Sequence, residues 1–175
     1  MTKKKIDVMD YANEIIKSMN KGILLTTQYE GKVNSMVIGW GHVGVIWGKP
    51  VFVAYVRESR YTRELLDKNP EFTVNVPVGD FDKKILAVCG SKSGRDMDKI
   101  KETGLTPVNS ENISVPGLKE FPLTLECRVL YREEQDASRL AEKIQNRFYP
   151  SGASGRQDDH ISYYGEILDA YIIEE

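Results

Sequence analysis

The sequence predicts a mainly β chain with flanking helices, its strands forming an antiparallel barrel. Three observations predict it. Roughly six or seven short runs rich in β-branched and aromatic residues recur along the chain. Successive runs are joined by hairpin signals or short loops, whereas a parallel sheet needs long crossover connections. Only three or four segments carry helical spacing, and they do not alternate regularly with the strands. A length of 175 residues is that of one domain, residues 1–175, with a substantial core.

The N-terminal elements read as helix, strand, strand. Asp10 is the expected cap of a first helix, in which Tyr11, Ile15, Ile16 and Met19 share a face and Gly22 ends it. Ile23–Tyr29 and Val33–Ile38 are strand-like and joined at Glu30-Gly31. The polar pair Asn34-Ser35 lies inside the second strand. It either presents donors to a ligand or marks a hairpin edge facing water. Gly39-Trp40-Gly41-His42-Val43-Gly44 matches G-x-G-x-x-G, with Glu58 further on. A dinucleotide fingerprint needs a helix straight after the glycines. Here Gly48 and Pro50 interrupt the following residues, which excludes a Rossmann unit. The segment is expected to be a glycine-rich loop that lets backbone approach something flat or bulky.

Val51–Val76 reads as strand, polar turn, short helix and strand, with Pro70 ending the helix. Its turn, Arg57-Glu58-Ser59-Arg60-Tyr61-Thr62, puts two guanidinium groups and several hydroxyls ahead of the helix, where Ser59 or Thr62 can cap it. Such a helix start suits a phosphate. An ordinary capped helix with solvated arginines fits the stretch equally well.

Asp80 is expected to cap a helix reaching Val88. Gly90-Ser91-Lys92-Ser93-Gly94-Arg95-Asp96 follows as a second anion-binding candidate, with glycines for tight turns, serine donors and two cations. It lacks the order of a P-loop, and alone it reads more simply as a solvated loop. Leu105–Glu120 is a Pro/Gly/Asn loop with one short strand, and Leu123–Tyr131 is a strand. Ala137–Phe148 has the spacing of an amphipathic helix, with Leu140, Ile144 and Phe148 on one face. Tyr149–Asp159 is polar and expected to be mobile. Ile161–Ile173 closes the chain as a strand with a bulge at Gly165.

A net charge of −2 gives no electrostatic case for nucleic acid. Lys3-Lys4-Lys5 reads as a solvated tail, and no apolar run approaches the roughly 20 residues of a membrane span. Met1–Asp10 lacks the apolar core of a signal peptide. Two cysteines, Cys89 and Cys127, form no redox or metal motif and suit a reducing, cytoplasmic setting. With two histidines and scattered cysteines, no metal site is expected.

Five stretches, in order, carry a resemblance. They are Asn34–Gly41, Ile46–Phe52, Val56–Thr62, Cys89–Asp96, and His160 with Tyr164–Ile167. Through them the chain resembles the flavin reductase-like family with the FMN-binding split-barrel fold, which includes flavoredoxins. The resemblance implies a six-stranded antiparallel barrel that forms a homodimer, with one FMN per subunit near the interface. It implies that Asn34, Ser35, Met36, Gly39 and Trp40 face the isoalloxazine ring. Ser59, Arg60 and Thr62, in one turn with Arg57 and Tyr61, would hold the phosphate. Lys92, Ser93, Gly94 and Arg95 would add phosphate or ribityl contacts. His160 would approach the flavin as the candidate catalytic residue, Trp47 would serve the core or the interface, and Cys89 would be a buried structural thiol.

Three functions compete at this stage. The first is an NAD(P)H-dependent flavin reductase, passing hydride through bound FMN to a small acceptor, with Ser151–His160 as the movable wall of a nicotinamide slot. The second is a flavoredoxin-type electron carrier with redox-protein partners and no NAD(P)H turnover. The third is a barrel that binds a planar phosphorylated ligand without turnover. The apolar Val43–Trp47 stretch, expected in a loop, is the candidate dimer contact.

Overall fold

A computed structural model describes residues 1–150 and 158–174. In chain order its elements are β1 (Thr2–Lys5), α1 (Val8–Met19), β2 (Ile23–Tyr29), β3 (Lys32–Ile38), β4 (Gly41–Ile46), β5 (Lys49–Arg57), α2 (Tyr61–Lys68), β6 (Glu71–Val76) and α3 (Lys83–Ser91). There follow α4 (Lys99–Thr103), β7 (Pro107–Val108), β8 (Gly117–Leu118), β9 (Leu123–Glu134), a 3-10 turn (Ala137–Arg139), α5 (Glu142–Phe148) and β10 (His160–Glu174). No helix among the described residues is long and apolar enough to cross a membrane.

The main sheet runs β3-β2-β6-β9-β10-β5-β4, with β1 added on β10, and every pairing is antiparallel. Strand β10 is long enough to serve two neighbours along one edge. Its first half pairs with β5, from His160 opposite Arg57 to Glu166 opposite Val51, and its last residues pair with β1. The two ends of the path, β3 and β4, are consecutive in the chain and linked by Gly39-Trp40 alone. So short a link spans only about 10 Å, so the sheet curls until its edges approach. They form no ladder among the described residues, and the barrel stays split there. Eight strands and an open seam therefore replace the six-stranded barrel read from the sequence.

The extra strand is the expected glycine loop. Gly41–Ile46 pairs residue by residue with Lys49–Ala54, through a hairpin whose two turn residues, Trp47 and Gly48, have φ of 55° and 70°. Positive φ at both positions matches the twist of the flanking strands. Cross-strand pairing overrides the poor strand propensity of Gly41 and Gly44. The exclusion of a Rossmann unit stands, because a strand and not a helix follows the glycines.

Inside the curl, Ile23, Leu25, Phe52, Phe72, Val74, Leu123, Leu125 and Tyr163 are buried, and α1 adds Ile15 and Met19. The helix starts differ from the sequence reading. Asp7, not Asp10, caps α1 by accepting from Met9 N–H at 2.9 Å, and Asp82, not Asp80, caps α3. Ala137–Phe148 breaks into a 3-10 turn and the short α5, with Ile144 exposed. The register between β10 and β9 slips at Tyr164/Gly165, where a bulge was expected. A β-carbon on Gly165 would stand 2.5 Å from the Phe72 ring, so the glycine makes room for that core side chain.

Candidate functional site

Strand β5 ends at Arg57 and α2 begins at Tyr61, so the intervening turn lies at one rim of the sheet. Arg60 occupies the cap position of α2 with extended backbone and no side-chain cap bond. Neither Ser59 nor Thr62 caps the helix. Ser59 donates its backbone N–H and its hydroxyl to the two carboxylate oxygens of Asp158, at 3.0 and 2.7 Å. Thr62 is buried and accepts from Asn34 Nδ2 at 3.0 Å, which leaves its hydroxyl proton free to donate.

The second basic turn comes to the first. A cavity of about 160 Å³ is lined by Asn34 from β3, Arg60 and Thr62 from the α2 turn, and Lys92, Ser93 and Lys99 from the chain after α3. A second hollow, about 190 Å³, shares Met36, Val37 and Arg60 with it and runs on to Gly39, Trp40, Tyr55 and His160. A third, about 510 Å³, lies on the other side of Trp40 against Ile16, Leu140, Ile144 and Phe148. The three make one trough with a cationic, hydroxyl-rich end and an aromatic end.

Most of the residues picked from the sequence line this trough, but Ser35, Arg57, Ser59 and Arg95 are engaged with other protein groups. Asn34 and Met36 point one way from β3, while the buried Ser35 between them points the other, as strand alternation requires. The Ser35 hydroxyl pairs with that of Thr26 at 2.7 Å, in a network that also takes in Asn75. Arg57 lines the hollow, but its guanidinium is committed to the carbonyls of Asp158 and Phe148, at 2.6 and 2.8 Å. Arg95 bonds the Ser59 carbonyl and the Glu64 carboxylate, so it braces one basic turn against the other. That contact holds the Glu64 carboxyl below its usual range. Tyr61 packs between Lys32 and Arg95, at 4.8 and 5.5 Å from its ring. Arg60 and Lys92 have no side-chain partner among the described residues.

At the aromatic end His160 is buried. Its Nδ1 lies 2.7 Å from the Tyr149 hydroxyl, which donates to Gln135 Oε1 at 2.8 Å. With that donation made, the hydroxyl accepts from Nδ1–H and leaves the Nε2 lone pair on the other side of the ring. Burial, then the nearby Arg57 guanidinium, pushes the His160 pKa down to about 4, with Arg60 adding to the effect and Asp158 opposing it. The imidazole is therefore neutral near pH 7. Trp40 is half exposed, with its ring 5.1 Å from those of His160 and Phe148. Trp47 lies far along the β4–β5 hairpin, exposed and beside Tyr131 and Tyr164, outside the core.

The sequence reading missed Lys99, Tyr55 and Tyr149. Lys99 is buried while Lys101, two residues on, is exposed, and no local pattern separates the two. Tyr55 sat in what read as a plain apolar strand. Cys89 is buried, and its thiol pKa is raised by desolvation, as suits a structural role. Residues 151–157 of the expected gating loop lie outside the described residues.

Comparison with known proteins gives one consistent picture. The flavin reductase like domain family matches residues 17–175. The flavoredoxin of Methanosarcina acetivorans has a TM-score of 0.64 and 30% identity, covering 87% of this chain and 68% of that one. The flavoredoxin of Desulfovibrio vulgaris (Miyazaki F) has a TM-score of 0.67 and 22% identity, covering 87% of this chain and 69% of that one. An uncharacterized protein of Archaeoglobus fulgidus is 33% identical over 103 residues, 59% of this chain and 57% of that protein. The match thus spans little more than half the length of that relative.

Proposed function

The chain belongs to the flavin reductase like family, and from that premise we propose that it binds FMN in this trough and works as an NAD(P)H-dependent flavin reductase serving a small acceptor. One observation carries the reading: the two basic turns meet around one cavity that continues into an aromatic hollow. A ligand with an anionic head and a flat ring matches that polarity. FMN fits better than riboflavin, because the cationic end would otherwise stay unpaired.

The residues present suit the cofactor in two further ways. Asn34 Oδ1 is buried at the trough without a hydrogen-bond partner among the described residues, an acceptor in want of a donor such as a ribityl hydroxyl. Gly94 has no β-carbon to displace Asn34, which keeps that amide at the cavity wall.

Arg60 and Lys92 would neutralise the phosphate, and the Thr62 hydroxyl would donate to it. Trp40, Tyr55 and neutral His160 would wall the ring, with the Arg57 guanidinium, held by two backbone carbonyls, lining the same hollow. When bound, the flavin would supply the hydride and electron chemistry. The hollow beyond Trp40 would give a nicotinamide or an acceptor a largely apolar seat that opens to solvent.

The likeness to two flavoredoxins keeps an electron carrier as the second reading. Anaerobic mixing of the FMN-loaded chain with NADH and, separately, NADPH decides between them. The reductase bleaches the flavin in a fast, saturable phase. Bleaching no faster than that of free FMN with either nucleotide rejects the reductase and leaves the carrier. A purified chain that neither is yellow nor takes up added FMN rejects both.

A further inference from the structure

Among the described residues Lys99 is the one buried lysine, only 4% exposed, and it lines the cationic cavity. It sits on the short α4 and reaches back under α3, where its Nζ donates to the Cys89 carbonyl at 3.1 Å. An ammonium carries three donors, and this bond uses one. No carboxylate pairs with it among the described residues. Asp98, its neighbour in sequence, caps α4 by accepting from Lys101 N–H. The charged neighbour that acts on it is Arg60, of the same sign, and the Cys89 thiol is kept neutral by burial.

A buried cation with no counter-charge is costly, and a second cation beside it raises the cost. An apolar or amide side chain would fill the same space without that penalty. The arrangement is accounted for if the counter-charge arrives with the ligand.

We propose that Lys99 determines the cavity's selectivity for a terminal phosphate monoester: its buried ammonium meets the phosphate dianion and makes the site prefer FMN to riboflavin. This rests on the flavin reading above and adds to it the residue that would set the preference for FMN. Arg60 and Lys92 approach the same phosphate from the exposed side, where water competes for them. Lys99 approaches from the dry side, where a charged hydrogen bond counts for more.

The test compares the chain with its Lys99→Met variant in titrations with FMN and with riboflavin, followed by flavin fluorescence. FMN affinity should fall by about ten- to a hundredfold, the scale of a charged hydrogen bond. Riboflavin affinity should stay within about twofold, by the same reasoning. The thermal midpoint of the flavin-free variant should hold or rise, because a buried unpaired charge has gone. A lysine that merely ties α4 to α3 would instead lower that midpoint and leave the preference for FMN intact, which overturns the inference. Equal weakening of both flavins also overturns it. A parent chain that binds neither flavin sinks the flavin reading itself. A parent that prefers FMN beside a variant with the same preference sinks only the role of Lys99.

Discussion

Gly94 sits against Asn34 so closely that a β-carbon built on it would stand 2.1 Å from the amide oxygen. The pair joins the second basic turn to β3, and Asn34 in turn holds Thr62 at the first. Gly94→Ala must therefore push Asn34 aside, and overpacking of this kind costs about 1–3 kcal/mol. Denaturant melts should show that loss together with weaker FMN binding. A variant as stable as the parent would mean that the turn moves freely.

Arg60 faces the cavity without a side-chain partner among the described residues. Arg60→Ala should weaken FMN by about 1–3 kcal/mol, the range for hydrogen bonds to charged groups, and leave riboflavin nearly unchanged. Parallel titrations with the two flavins check this. Equal losses would assign Arg60 to the fold instead.

His160 makes the stability pH-dependent with a defined sign. Its pKa is about 4 in the folded chain against an ordinary 6.5. Between those values the unfolded chain binds more protons. The stability conferred by the neutral, buried imidazole is complete above about pH 6.5 and is lost as pH falls toward 4. Replacing His160 with Gln should flatten this part of the acid limb. Unfolding curves at pH 7, 5.5 and 4.5 read it out, and identical slopes for parent and variant would rule it out.

A homodimer is the expected assembly. Val45 and Trp47 are 62% and 59% exposed on the β4–β5 hairpin, and the Trp47 ring lies 6.4 Å from that of Tyr131, which is also exposed. Changing both Val45 and Trp47 to Glu should raise the dimer dissociation constant at least about a hundredfold, given the apolar area withdrawn. Sedimentation at several concentrations measures it. A stable, FMN-loaded monomeric parent would remove the premise.

Hairpin logic and the punctuation at Gly22, Gly31 and Pro70 were legible in the sequence, because they are local. Both basic turns were legible for the same reason. Their meeting was not, since it depends on α3 returning along β3. The strand character of Gly41–Ile46 comes from pairing with β5, which local propensity cannot report. Ser35 shows a finer limit. Its neighbour Asn34 faces the trough, but strand alternation turns Ser35 inward, so adjacency in sequence was a poor guide to a shared face. Arg57 and Arg95 looked equivalent to Arg60, yet distant carbonyls and a carboxylate occupy them.

The chain holds two tryptophans, and the fold has sorted them. Trp40 stands between the hollows beside His160, while Trp47 lies out on the hairpin among tyrosines. Their fluorescence therefore reports two different events. A flavin seated in the trough would quench Trp40 by energy transfer at short range, and subunit association would change the emission maximum of Trp47. Replacing either one with Phe turns the other into a private optical probe, so cofactor loading and assembly can be timed independently in the same stopped-flow experiment.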